Sequence, residues 1–174
     1  VAFPEFRRSP ALQAAVVNRY DDELSKQVMP DGSMIEGAPG YENCCIYGLL
    51  RVLRFCRDYG IALPERVPQA VERMVRFAIG CLKPNGRSPM FGDSQDDEGR
   101  GYVSGAADVF PLPEVQWALT EGREGHPPAF TSTAFECIGY YIQRSGWTPD
   151  ALYLCFDGGR FGQAHHHEDK LNFE

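Results

Sequence analysis

Three of the four histidines of the chain stand side by side, His165, His166 and His167, and are followed at once by Glu168 and Asp169. The residues after them, through Leu171 and Phe173 to Glu174, alternate polar and apolar, which reads as a strand. On a strand His165, His167 and Asp169 share one face with Leu171 and Phe173, while His166, Glu168 and Lys170 face the other way. Two imidazoles and a carboxylate on one face suit two chemistries: a base oriented by its neighbours, or part of a metal site completed elsewhere. An exposed polar strand end is the plain alternative. Two further segments carry reactive side chains. Pro30 to Tyr41 is a Gly- and Pro-rich loop that delivers Glu36 and Tyr41 to the start of a helix. Taken alone, Tyr41 also fits a packing residue with a wet hydroxyl. Pro89 to Asp97 is an acidic loop, and Asp93 within it reads as a turn former that caps and shapes the loop, without a chemical role.

Known metal patterns fit the histidine run poorly. The H-x-H-x-D-H arrangement of metallo-β-lactamase-type zinc hydrolases is matched through Asp169, but Lys170 stands where its last histidine belongs. The cupin pattern needs a Glu four or five residues after its second histidine, a spacing that neither Glu168 nor Glu174 provides. The six cysteines, Cys44, Cys45, Cys56, Cys81, Cys137 and Cys155, form no C-x-x-C pair, and Cys45 and Cys56 fall among apolar helical positions, so they read as core thiols.

Three helices precede these strands. Leu12, Val16, Tyr20, Leu24 and Val28 recur every four residues, which predicts an amphipathic helix from Pro10 to Met29. A second is expected from Glu42 to Tyr59, with Gly60 as its C-cap, and a third from Pro64 or Glu65 to Leu82, ended by Lys83-Pro84-Asn85-Gly86. Between Arg87 and Pro128 the pattern loosens to two short helical patches, Ser104 to Val109 and Glu114 to Leu119. Loops of that length in a compact fold usually carry function. Strands are expected within Thr133 to Arg144 and at Ala151 to Phe156, besides the histidine segment. The fold class is therefore α+β with segregated parts: helices over 1–128, strands over 129–174.

With 174 residues, 43% hydrophobic, the chain can bury a sizeable core. Its net charge of −7 and the lack of any Lys/Arg cluster longer than Arg7-Arg8 argue against a nucleic-acid partner, and no apolar run approaches a membrane span. Val1 is not an initiator Met and the alternation runs up to Glu174, so the sequence reads as part of a longer chain.

Five short motifs stand in one order: F-P-E-F at Phe3 to Phe6, Q-x-x-P-D-G-S at Gln27 to Ser33, E-x-x-P-x-Y at Glu36 to Tyr41, F-G-D-S at Phe91 to Ser94, and H-x-H-x-D at His165 to Asp169. That order resembles the heparinase II/III-like polysaccharide lyases. The resemblance implies an incomplete (α/α) toroid of helical hairpins followed by the first strands of an antiparallel β-sandwich, in a periplasmic or secreted enzyme. It implies β-elimination on a uronic-acid polysaccharide, alginate or a glycosaminoglycan such as heparan sulfate. Tyr41 would act as acid/base, and His165 as base or as the group that activates Tyr41. No cofactor is required, although some members hold a structural zinc through the second histidine, which would be His167. The Asn-Trp segment that carries the family's carboxylate-neutralising Asn does not occur in this sequence.

The acidic net charge tilts the substrate toward alginate or a sparsely sulfated glycosaminoglycan, because strongly sulfated chains are held by clustered Arg and Lys. Arg87, Arg100, Arg144 and Arg160, with Glu36, are the candidates for contacting substrate, and Trp117 and Trp147 for stacking on sugar rings. For each Arg a solvated surface position, and for each Trp core or interface packing, is the plainer reading. Two other function classes stay open: a glycan-binding module without turnover, and a metal-dependent hydrolase on His165, His167 and Asp169.

Overall fold

A computed structural model describes residues 5–161, 164, 165, 167, 168 and 170–174. Phe3, Pro4, His166 and Asp169, and with them one end of the F-P-E-F motif and the carboxylate of H-x-H-x-D, lie outside the described residues. Among the described residues five α-helices come first: α1 (Ser9–Gln27), α2 (Pro39–Asp58), α3 (Arg66–Cys81), α4 (Gly99–Tyr102) and α5 (Pro113–Leu119), with a 3₁₀ turn at Ser104–Asp108. Three strands follow, β1 (Thr133–Phe135), β2 (Tyr140–Arg144) and β3 (Tyr153–Asp157), in one antiparallel sheet of order β1-β2-β3. The α+β class and the helices-then-strands order are as the periodicity implies. The long helices end within three residues of their expected bounds, whereas α4 lacks any apolar period to announce it.

The central element is α3. Its apolar residues cover a broad face, with Arg66, Gln69, Glu72, Arg73 and Arg76 on the opposite side, and ten of its sixteen residues are buried. One side, with Val67, Val71, Met74 and Val75, packs with Ile46, Leu50 and Leu53 of α2 and Val115 of α5. The other side, Phe77 and Cys81, meets Phe135, Tyr140, Ile142 and Cys155 of the sheet and Phe91 of the long loop. Gly80 makes that approach close, since a Cβ there would come 2.8 Å from the Phe135 ring. Helices and sheet thus share one helix as a common wall.

Two expectations are corrected. The apolar face of α1 is covered only over its second half. Leu24 and Val28 are buried, but Leu12 and Val16 stay 57% and 54% exposed and, with Phe6, Val52 and Phe55, line an open apolar groove of about 940 Å³, since no described element packs over them. The described residues between His165 and Glu174 do not form one strand. Leu171 adopts a positive φ of 61°, which breaks an extended run there, and Ala164, just ahead of the segment, adopts 52°. Only its end pairs: Phe173 bridges Phe156, and Cys155 and Glu174 exchange backbone hydrogen bonds along the edge of β3.

The turn between α1 and α2 is pinned to the sheet. Asp31 accepts hydrogen bonds from the backbone N–H and hydroxyl of Ser33 and, through its other oxygen, from the backbone N–H of Cys137 in the β1–β2 hairpin. The buried Tyr140 hydroxyl donates to the Gly37 carbonyl at 2.8 Å. Gly32, at φ 93°, sits so close to the Arg73 carbonyl that a Cβ would overlap it. Gly32→Ala is therefore expected to destabilise the protein by about 2 kcal/mol or more, from left-handed strain plus displacement of α3. A denaturation midpoint equal to that of the unsubstituted protein would contradict this packing.

Candidate active site

Tyr41 lies in the first turn of α2, where its chain position is fixed from three directions. Pro39 occupies the first helical turn, whose unpaired N–H groups need outside acceptors. The hydroxyl of Ser94, from the Phe91-Gly92-Asp93-Ser94 loop, accepts the Gly40 N–H at 2.9 Å. A residue from a distant loop thus caps the helix that carries Tyr41. Next in sequence and in the same turn, Glu42 is buried and accepts from the Met34 N–H at 3.2 Å, while its other oxygen has no partner; burial pushes its carboxyl well above the usual range.

The same loop reaches the histidine segment. The Asp93 N–H donates to the His165 carbonyl at 2.9 Å, and the Asp93 carboxylate meets His165 Nδ1 at 3.0 Å and His167 Nε2 with its other oxygen. Those hydrogen bonds, His165 first, hold the Asp93 carboxyl below the usual carboxylate range. The His165 ring in turn stacks on Tyr41, centroids 3.5 Å apart and planes 10° from parallel. His165, Asp93 and Tyr41 are all partly open to solvent, so the cluster faces a surface that a substrate can reach.

A group with a lowered folded-state pKa adds stability that is present above its unfolded value, about 4 for Asp. That stability is lost as pH falls through the folded value. Asp93→Asn is therefore expected to narrow its stability deficit as pH is lowered from about 5 to about 3. Urea midpoints of the two proteins at both ends of that window check it. A deficit independent of pH would remove the ionic contribution of Asp93.

The other sequence candidates are placed elsewhere. Arg87 pairs with Asp96, and Arg100 lies flat against Gly86 with Glu121 as its ionic partner. Arg160 is exposed beyond β3, and Glu36 is half-buried in the loop ahead of α2. Arg144 is not a surface contact: it is buried, with its guanidinium on the Gly80 and Leu82 carbonyls and over the Trp147 ring. Trp117 and Trp147 pack edge to face on each other, and the Trp147 N–H is held by the Phe130 carbonyl, which uses the indole as packing. His167 meets Asp93 through its Nε2, and among the described residues no group of three or more His, Cys, Asp or Glu side chains stands within metal-binding reach. Of the cysteines, Cys56, Cys81 and Cys155 are buried and Cys45 half-buried as expected, but Cys44 and Cys137 are exposed thiols.

Asp93 is the residue that sequence reasoning passed over. Its loop was legible as part of the F-G-D-S motif, but an acidic turn has the same local composition whether or not it holds a histidine. The structure brings together Tyr41 and His165 and adds Asp93 and Ser94 between them.

Comparison with known proteins points the same way. The family described as Heparinase II/III N-terminus matches residues 1–117. A heparin-sulfate lyase of Pedobacter heparinus is 32% identical across the whole chain, and one of Bacteroides stercoris 25% identical over 99% of it. The chain spans 27% of the length of each of these two relatives. The crystal structure of heparan sulfate lyase HepC from Pedobacter heparinus superposes with a TM-score of 0.90 at 30% identity, over 99% of this chain and 28% of that one. Helical hairpins followed by an antiparallel sheet are thus the architecture of a toroid running into a β-sandwich. No helix among the described residues is long and apolar enough to cross a membrane.

Proposed function

The chain belongs to the heparinase II/III family, and from that premise we propose that its Tyr41–His165 site cleaves a uronic-acid-containing glycosaminoglycan by β-elimination. The observation that carries this reading is the face-to-face packing of the Tyr41 and His165 rings at 3.5 Å. A uronate proton at C5 is very weakly acidic, so its removal needs a base held against the sugar and an acid ready for the leaving oxygen. In this reading His165 takes the C5 proton, the C–H electron pair becomes the C4–C5 double bond, and the C4–O4 bond breaks. Tyr41 gives its hydroxyl proton to O4. The departing half leaves with a free hydroxyl and the other half becomes an unsaturated uronate. Atoms and charges balance without an outside reactant.

The relatives named heparin-sulfate lyase favour heparan sulfate among the candidate substrates. Alginate, the alternative raised by the acidic composition, draws no such support. A metal-dependent hydrolase on His165, His167 and Asp169 is the weaker reading, because Asp93 already meets a ring nitrogen of both histidines. A secreted or periplasmic location belongs with the lyase reading, since its polymer substrates are extracellular.

The test is incubation of the intact protein with heparan sulfate, chondroitin sulfate, hyaluronan and alginate, following the absorbance of unsaturated uronate. A signal with heparan sulfate is expected. Silence on every polymer, from folded protein, overturns the proposal and leaves a glycan-binding module. Binding that survives replacement of both Tyr41 and His165 would then identify that module.

A further inference from the structure

We infer that Asp93 is a positioning residue for His165: it holds the ring in the form protonated at Nδ1 and so leaves Nε2 as the nitrogen presented to substrate. The reaction this serves rests on the lyase reading above, but the ring form itself does not.

The argument is one of donors and acceptors. An ionised carboxylate only accepts hydrogen bonds, so the ring nitrogens that it meets carry hydrogen. At His165 that nitrogen is Nδ1, 3.0 Å from Oδ2. The second oxygen, Oδ1, is taken by His167 Nε2, which stops the carboxylate from turning to offer both oxygens to one ring. The main chain adds a third tie, since the Asp93 N–H donates to the His165 carbonyl at 2.9 Å. Backbone and side chain of Asp93 thus grip the same residue, which sets the ring's edge as well as its place. Tyr41 covers one ring face and fixes its tilt. The Nε2 edge is what is left for substrate.

An isolated ion pair of this exposure would contribute little to stability. Its value to the reaction differs in kind. When His165 takes the C5 proton at Nε2 the ring becomes a cation with hydrogen on both nitrogens, and the negative charge of Asp93 is already in contact with its other end. The interaction is therefore stronger after proton transfer than before it, which is the condition for an effect on rate rather than on binding. No proton needs to pass to Asp93. His167 serves here as a strut, keeping the second oxygen occupied. Ser94, next in sequence, caps the helix of Tyr41, so one loop sets the distance between the two reacting side chains.

Two readouts on the intact protein test this. With ring-¹⁵N-labelled histidine at neutral pH, the NMR signals of His165, assigned by their loss in His165→Ala, are expected to show hydrogen on Nδ1 and a bare Nε2. In Asp93→Ala the Nδ1-protonated form is expected to give way to a mixture, with kcat on heparan sulfate falling by about 10²-fold. KM is expected to stay within about twofold, since binding contacts are untouched. Asp93→Glu, which keeps the carboxylate on a longer arm, is expected to recover part of both signals. Hydrogen on Nε2 in the unsubstituted protein overturns the inference without any variant. So does Asp93→Ala with the ring form retained and kcat unchanged. If no polymer is cleaved the lyase reading fails, while the NMR spectrum still decides the role of Asp93.

Discussion

Tyr41→Phe is expected to leave the fold intact and to lower turnover of heparan sulfate by about 10²–10⁴-fold, the range for loss of one acid/base group. The substitution removes a single oxygen from a side chain that is 39% exposed, and the ring keeps its stacking on His165. Neither the core around α3 nor the Ser94 cap on α2 touches that oxygen, so the denaturation midpoint should move little. His165→Ala is expected to cost at least as much activity. On the proposed reaction it removes the base, and it also takes away the ring that covers Tyr41 and one hydrogen bond of Asp93. If the two groups act on one transition state, the double variant will be little worse than the poorer single one. Rates of unsaturated-uronate formation for the three variants decide this. A Tyr41→Phe protein with undiminished kcat would remove Tyr41 from the chemistry.

The largest stability effect is expected at Arg144. Only 8% exposed, it donates to the carbonyls of Gly80 and Leu82 at 2.7 and 3.2 Å, the last turn of α3, where unpaired carbonyls gather. Its guanidinium also lies 3.6 Å from the centre of the Trp147 ring and 5.1 Å from that of Tyr153. A cation at a helix C-terminus is favoured by the helix dipole, and here it joins the sheet to the helix behind it. Arg144→Ala strands both carbonyls, opens a cavity beside Trp147 and removes the stacked cation. A loss of about 3–5 kcal/mol is expected, from two buried carbonyls left unsatisfied at about 1–3 kcal/mol each, together with the cavity. Its Nε lacks a partner, which tempers the gain from keeping the residue. Arg144→Lys should recover only part, since one ammonium cannot fork to two carbonyls and lie flat on an indole. Urea unfolding of both variants checks this, and a loss under about 1 kcal/mol for the Ala variant would show the fork to be dispensable.

How far the sequence carries depends on how local each cause is. The three long helices were legible because Leu24, Ile46, Leu50, Val71 and Met74 repeat at helical spacing, and a packed face needs little else. The order of short motifs singles out Tyr41 and His165, and the structure stacks their rings on each other. The form of the histidine segment is not legible, because alternation from His165 to Glu174 is the pattern of a strand, and among the described residues the positive φ of Leu171 interrupts it. Asp93 was read as a plain turn residue because its partner lies 72 positions away. Arg144 looked like a surface cation for the same reason, since the carbonyls that hold it belong to a helix more than sixty residues earlier. The exposed stretch of α1 shows the converse: an apolar stripe predicts a buried face, but what buries it is a property of the neighbours.

The loop from Phe91 to Ser94 has a bearing on how the protein acquires its activity in time. It ties Gly40, 54 residues before it, and His165, 72 residues after it, into one place. Helices close locally and fast, whereas contacts this distant in the chain must wait for the segments between them to order. The reacting pair is therefore among the last features to form during refolding. Helical signal should return ahead of turnover, and the interval between them should measure how long this loop takes to find its two ends.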